Sequence, residues 1–215
     1  MALVFAPNDP SEEQACKAIP VRRDKLNTFG VLPYGLTAEH VYLAMSDFIR
    51  FLGFVNRQLF TQQVPRLESF LMPANFSSIV GEFLTMTIPH YCPTLAKNRF
   101  HNGHPDLIPT GYYPDDAVQY THEGIEVKAS RYAAGWQGHN PEAVWLMVFH
   151  FNSNSANERT ASPRPFRFRA VYAAKLEMED WRFSGRSDTS RRTITASVAG
   201  SGRLKMQANW IYRDL

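Results

Sequence analysis

The 215-residue chain has few cysteines and lacks the features of several common protein classes. Its two cysteines, Cys16 and Cys92, argue against a disulfide-dense secreted domain and against a zinc site built from cysteines. No apolar run approaches the ~20 residues that a transmembrane helix needs. The first residues, MALVFAPNDPSEEQ, have no basic segment followed by a long apolar one, so we expect no secretory leader. Together these observations predict a cytoplasmic protein with no membrane partner.

Several catalytic motifs are also missing. The chain contains no Gly-x-Ser-x-Gly sequence and no phosphate-binding loop of the Gly-x-x-x-x-Gly-Lys-Ser/Thr type. The histidines His101, His104, His122 and His139 do not have the spacing of a helix-borne zinc motif. We therefore interpret them as turn residues or neighbours of a substrate. A serine hydrolase and an ATP-driven enzyme are both unsupported.

The first ninety residues are predicted to be mainly helical. Thr37 has the side chain of an N-cap, and apolar residues recur at helical spacing from Ala38 to Gln62. A second helix is predicted from about Ala74 to Met86, and we expect Pro89 and Pro93 to end it. The long first helix has a broad apolar stripe. That stripe would serve either as a subunit interface or as part of the chain's own core.

Residues 91–215 are predicted to be rich in strands. Helices followed by strands indicate an α/β or α+β fold, with a central mixed sheet flanked by helices in one domain of 1–215. The candidate strands are residues 106–108, Gly124–Ser130, Ala143–Phe151 and Phe166–Leu176, and a last hairpin is predicted from Thr193–Val198 and Leu204–Ile211.

The segment Gly124–Ser130 combines an apolar and a charged face. On a strand, successive side chains point to opposite faces. Ile125 and Val127 therefore share one face, which needs a core, while Glu126 and Lys128 share the other. The charged face is either an ordinary solvated surface or one half of an active site.

A second short motif lies upstream and points to the active-site interpretation. In the sequence His104-Pro105-Asp106, the aspartate precedes two apolar residues, and Glu126-Val127-Lys128 follows twenty positions later. This arrangement resembles the PD-(D/E)xK nuclease superfamily, to which many type II restriction endonucleases belong. The resemblance covers roughly residues 80–151. It implies a restriction-endonuclease-like core and a metal-dependent endodeoxyribonuclease that hydrolyses phosphodiester bonds in double-stranded DNA.

The chemistry of these residues suits that reaction. Mg²⁺ prefers oxygen ligands and takes one or two carboxylates, which Asp106 and Glu126 can supply, with Mn²⁺ as a substitute. The resemblance implies the backbone carbonyl of Val127 as a further ligand. Lys128 is expected to hold the attacking water and to offset charge in the transition state. Two further candidates are Glu82, on the preceding helix, and Gln137, which follows the Glu-x-Lys strand.

The charge of the chain is distributed unevenly. Residues 1–158 contain 11 basic and 15 acidic residues, whereas residues 159–215 contain 12 basic and 5 acidic ones. A basic region of this kind is either a solvated surface or a nucleic-acid-binding surface. With a nuclease core, we expect DNA contacts from the basic loop and from the segment after the Glu-x-Lys strand. These candidates are Arg131, His139, Arg182, Arg186, Arg191 and Arg192.

Four interpretations remain open at this point. A sequence-specific endonuclease that cuts both strands of a palindrome is usually a symmetric dimer, so we expect a homodimer. A structure-selective repair or recombination nuclease would use the same residues without reading sequence. A non-catalytic nucleic-acid-binding module, or a structural protein in which the two motifs occur by coincidence, would need no catalysis.

Overall fold

The computed structural model describes residues 9–138, 140–158, 162–184 and 195–214, which form a mixed α/β fold. Most of the helical residues precede the strands, as predicted. The helices are α1 (Pro10–Ala15), α2 (Ala38–Thr61), α3 (Leu67–Phe70), α4 (Pro73–Tyr91) and α5 (Gly200–Ala208). Among the described residues, no helix has both the length and the apolar character needed to cross a bilayer.

The strands form a larger mixed sheet and a smaller antiparallel one. The larger sheet has the strand order β1-β2-β3-β5-β6-β9, and the smaller sheet has the order β4-β8-β7. Strands β3 and β5 are parallel, and every other neighbouring pair is antiparallel. The strands are β1 (Leu95–Lys97), β2 (Leu107–Pro109), β3 (Ile125–Ser130), β4 (Gln137–Gly138), β5 (Trp145–Asn152), β6 (Arg167–Lys175), β7 (Trp181–Ser184), β8 (Thr195–Val198) and β9 (Trp210–Arg213).

The apolar stripe of α2 lies in the core of the chain. Thr37 caps the helix, because its side chain accepts a hydrogen bond from the His40 N–H. Met45, Phe48 and Leu52 are fully buried and belong to one apolar cluster with α4 and one face of β3 and β5. For these residues, the apolar stripe is therefore part of the chain's own core and not a subunit interface. The helix still exposes Phe54 on its outer side.

Helix α4 is longer than predicted, and the expectation that Pro89 ends it was wrong. The helix continues to Tyr91, with Pro89 in its last turn. Proline lacks the N–H that would bond one turn back, but near the C-terminus this costs little of the helical ladder. Leu84 and Ile88 are fully buried against the sheet, and this packing outweighs the lost hydrogen bond.

The predicted C-terminal hairpin was also wrong. Residues 200–208 form helix α5, and the strand that follows is β9. Gly202 packs so closely on the preceding chain that an added Cβ would lie 2.8 Å from the Asp180 carbonyl oxygen. Lys205 Nζ lies 2.5 Å from Asp180 Oδ2, and Met206 is buried beneath the helix. These tertiary contacts stabilise a helix that the glycine-rich segment would form only weakly by itself.

A buried arginine joins the N-terminal helices to the loop after β5. Arg66 is 1% exposed and bonds to Glu12, Glu68 and Asn154, at 2.7–2.8 Å. Glu68 is fully buried and also accepts a hydrogen bond from the Asn56 amide. A buried charge of this kind is tolerated because each polar group has a partner.

Candidate active site

A cleft of about 220 Å³ lies between helix α4 and strand β3. Strand β2 pairs with β3 only where Leu107 faces Ile125, and the next part of β3 lines the cleft. The helical wall is formed by residues with small side chains, which leave room beside the strand. These residues are Ser77, Ser78, Gly81 and Thr85.

The connection before β3 brings the two motifs together. Gly124 has φ +144°, and an added Cβ would lie 2.2 Å from the Leu107 carbonyl oxygen. Only glycine permits such a close approach. Asp106 stands one residue before β2, and its Oδ2 accepts a hydrogen bond from the Val127 N–H at 2.8 Å. Asp106 and Glu126 therefore line the same cleft, as the sequence predicted.

The carboxyl group of Asp106 has an unusual proton affinity. Burial, together with the negative charge of Glu126, raises the pKa of Asp106 to about 7. The hydrogen bond from Val127 and the positive charge of Lys128 act in the opposite direction but do not overcome this. A cation bound beside this carboxyl group would favour its ionised form.

Glu126 is held at both of its oxygens, by a lysine on one and a histidine on the other. The residue is 7% exposed. Its Oε1 pairs with Lys128 Nζ, and its Oε2 lies 3.0 Å from His104 Nδ1. Burial favours the protonated acid, but the hydrogen bond from His104 and the charge of Lys128 outweigh it, so the pKa of Glu126 lies below its ordinary value.

Lys128 lines the same cleft, as the strand alternation predicted. Burial would lower its pKa, but the attraction of Glu126 and Asp106 raises the pKa above the ordinary value for lysine. The side chain is therefore an ammonium ion at neutral pH. It can donate hydrogen bonds and balance charge, but it cannot accept a proton.

Glu82 and Gln137 occupy more peripheral positions. Glu82 lines the cleft from α4, but its side chain is 67% exposed and its Oε2 lies 2.6 Å from Lys97 Nζ. Gln137 is exposed on β4 and lines an adjoining cleft of about 390 Å³. The two clefts share Lys128, so a molecule that extends from the first enters the second.

The adjoining cleft has a different character from the first. Its described lining residues include Lys128 and Arg131 but no carboxylate. Tyr132 is 75% exposed at its surface, and Trp136 is buried behind it. A cleft with cations, an exposed aromatic ring and no acidic side chain among these residues suits an anionic ligand with planar groups.

Two residues of the site were missed by the sequence analysis. His104 Nδ1 lies 3.0 Å from Glu126 Oε2 and its Nε2 lies 3.7 Å from Glu142 Oε2, so the imidazole is close to two carboxylates. Ligand atoms of His104, Glu126 and Glu142 lie within 4.8 Å of one another, a spacing that could hold a metal ion. The sequence signal for His104 was its position two residues before Asp106. Glu142 lies in the loop before β5, and no motif marks it.

The residues expected to contact DNA are only partly described. Arg131 Nη1 donates to Ser153, and the guanidinium lies over the rings of Phe76 and Phe151. Arg182 is exposed on β7. The other four candidates, His139, Arg186, Arg191 and Arg192, lie outside the described residues.

Comparisons with protein-family models, with curated proteins and with solved structures gave no significant match.

Proposed function

We propose that this protein is a Mg²⁺-dependent DNA endonuclease with a restriction-endonuclease-like core, related to the PD-(D/E)xK nucleases. One observation carries the proposal. Asp106, Glu126 and Lys128 come from two segments twenty positions apart, and all three line one cleft. That cleft opens into a second one with cationic and aromatic side chains, where a phosphodiester chain can continue.

The donor set of the cleft fits a hard divalent cation. Asp106 and Glu126 offer carboxylate oxygens, which Mg²⁺ and Mn²⁺ prefer, and Val127 is proposed as a third ligand through its carbonyl. A carboxylate has about four acceptor sites, so Glu126 can bind a cation while it pairs with Lys128 and His104. Burial and the charge of Glu126 raise the pKa of Asp106, and a bound cation would favour its ionised carboxylate. When bound, the metal would polarise the phosphate and acidify a water molecule.

Lys128 has a distinct role in this account. Its ammonium group donates a hydrogen bond to the attacking water and attracts the negative charge that develops on the phosphate. The apolar side chains of Ile125 and Val127 fix the strand to the core, and so fix Glu126 and Lys128 relative to each other. Hydrolysis breaks one P–O bond and leaves a phosphate monoester and a free hydroxyl group.

The substrate side of the proposal rests on the adjoining cleft. We assign it to the nucleotides that flank the scissile phosphate, with Gln137 orienting a phosphate or water and Tyr132 packing against a sugar or base. The exposed Arg182 and the basic residues that follow it in the sequence would contact the backbone of double-stranded DNA. A symmetric homodimer would place two such clefts on the two strands.

Incubation with DNA tests the proposal. Purified protein is mixed with unmethylated phage DNA, with Mg²⁺ or with EDTA, beside branched and single-stranded DNA and RNA. Discrete fragments that require Mg²⁺ support a sequence-specific enzyme. Cleavage confined to branched DNA would indicate a structure-selective nuclease instead. If every substrate stays intact, the endonuclease proposal fails and a binding module becomes the better account.

A further inference from the structure

The strongest feature outside the three motif residues is the contact of His104 with Glu126, with Glu142 nearby. The imidazole is 17% exposed, with Nδ1 3.0 Å from Glu126 Oε2 and Nε2 3.7 Å from Glu142 Oε2. The Glu126 contact has hydrogen-bond length, whereas the Glu142 contact is a longer electrostatic one. Because Nδ1 donates its proton to Glu126, this nitrogen serves as a hydrogen-bond donor to the carboxylate and is not available to bind a metal ion.

His104 is held firmly from several directions. Its backbone N–H donates to the Gln119 carbonyl, and its own carbonyl accepts from the Thr121 N–H, each at 3.0 Å. Its ring stacks on Tyr120, with centroids 5.5 Å apart and planes inclined by 23°. A ring fixed in this way has a defined direction for its Nδ1–H donor.

We propose that His104 is a positioning residue that holds the Glu126 carboxylate in its metal-binding orientation. The inference rests on the proposed function, because it takes Glu126 as a metal ligand. Glu126 Oε2 bonds to His104, which leaves the Oε1 side of the carboxylate beside Lys128 in the cleft. Groups that orient metal-ligating side chains typically change metal affinity by about 10–100-fold when they are removed.

The two ring nitrogens permit a test with matched variants. In asparagine the amide nitrogen is bonded to Cγ, as Nδ1 is in histidine, so His104→Asn keeps a donor for Glu126. In glutamine the amide nitrogen lies one bond further out, as Nε2 does, so His104→Gln keeps a donor for Glu142 but not for Glu126. His104→Ala removes both donors. Asp106→Ala serves as the control that removes a proposed ligand.

The measurement is the dissociation constant for Mn²⁺, from the electron paramagnetic resonance signal of the free ion, with thermal melting to confirm folding. We expect His104→Ala and His104→Gln to weaken Mn²⁺ binding by about 10–100-fold. We expect His104→Asn to restore it to within about threefold of the original protein, since it keeps the Nδ1-like donor. The bound ion should show no directly coordinated nitrogen in its spin-echo spectrum.

Three results would overturn the inference. If His104→Ala binds Mn²⁺ as tightly as the original protein while Asp106→Ala does not bind it, the metal site stands and the positioning role fails. If the spectrum shows a coordinated nitrogen, and Glu142→Gln but not Asp106→Ala abolishes binding, the ion lies at His104 and Glu142. If the original protein binds no Mn²⁺, the proposed function and the inference fail together.

Discussion

Asp106 accepts a hydrogen bond from the Val127 N–H through Oδ2, at 2.8 Å. A side chain just before β2 thus bonds to the backbone of β3, between Glu126 and Lys128. The contact fixes the Pro-Asp motif against the Glu-x-Lys motif, and it places a carboxylate at the strand edge where β2 no longer pairs with β3. The proposed site depends on this geometry, and the predictions below test its consequences.

Asp106→Asn should stabilise the metal-free protein at neutral pH. The folded state raises the pKa of Asp106 to about 7, so the folded chain retains a proton that the unfolded chain has lost. The free energy of unfolding therefore falls as the pH rises from ~4 to ~7 and is level above that, and the total loss is on the order of a few kcal/mol. Asparagine removes this loss and keeps an acceptor for Val127.

Thermal melting in EDTA between pH 4 and pH 8 checks this prediction. We expect the variant to melt at a higher temperature than the original protein at pH 8 and at nearly the same temperature at pH 4. Asp115→Asn is a suitable control, because Asp115 is exposed on a turn away from the cleft. If the difference in melting temperature between the variant and the original protein does not change with pH, the Asp106 carboxyl group has an ordinary pKa.

If Asp106 is a metal ligand, the affinity of the protein for Mg²⁺ should depend on pH. A cation that binds the Asp106 carboxylate must displace its proton, so binding releases a proton below the pKa of about 7. With one proton displaced, the affinity should rise by about tenfold for each pH unit below 7 and change little above it. Isothermal titration calorimetry from pH 5.5 to pH 8 gives the slope, and a flat profile would exclude Asp106 as a ligand.

Gly81 offers a way to close the cleft without changing its charges. An added Cβ at Gly81 would have no heavy atom within 4 Å, so Gly81→Ala should fit. Because alanine is the better helix former, this variant should raise the free energy of unfolding by about 0.5–1 kcal/mol and keep activity. Gly81→Phe should project a ring into the cleft and weaken substrate binding.

Both variants are compared by chemical denaturation and by cleavage of a labelled duplex. The alanine variant is the control for the phenylalanine one, since both change the same position of α4. Full activity of Gly81→Phe, in a folded protein, would mean that the substrate does not use this cleft.

Arg66→Ala should destabilise the fold without affecting the site directly. The change leaves Glu68, which is fully buried, without its charged partner. Loss of one partner of a buried ion pair costs about 3–5 kcal/mol. Arg50→Ala is the control, because Arg50 has a 77% exposed side chain and pairs with Asp47 at the surface. It should change stability by less than about 0.5 kcal/mol. The free energy of unfolding is measured by urea denaturation. Equal losses of this free energy in Arg66→Ala and Arg50→Ala would contradict the account.

Much of the fold was predictable because it follows from local patterns. The apolar spacing and the Thr37 cap identified α2, and the alternation in residues 124–130 identified β3 together with the shared face of Glu126 and Lys128. The proximity of Asp106 to that face followed from the family resemblance, and the structure places the two motifs side by side. These features depend on short segments whose periodicity is visible in the sequence.

The features that were missed depend on contacts between distant segments. Helix α5 has a glycine-rich start, and its packing on Asp180 becomes visible only in three dimensions. Glu142 approaches His104 because the loop before β5 returns beside the site, and no local pattern in the sequence predicts the path of a loop. His104 itself was considered only as a turn residue or substrate neighbour, since a single histidine carries no periodic signal.

The most direct test of the central claim is the single-turnover rate of DNA cleavage with Lys128→Ala beside Lys175→Ala. Lys175 is exposed at the end of β6, so its removal should leave the rate unchanged. We expect Mg²⁺-dependent cleavage by the original protein and a loss of about 10²–10³-fold in rate for Lys128→Ala, because an electrostatic contact to the transition state is removed. Equal rates for the two variants, or no cleavage by the original protein, would contradict the account.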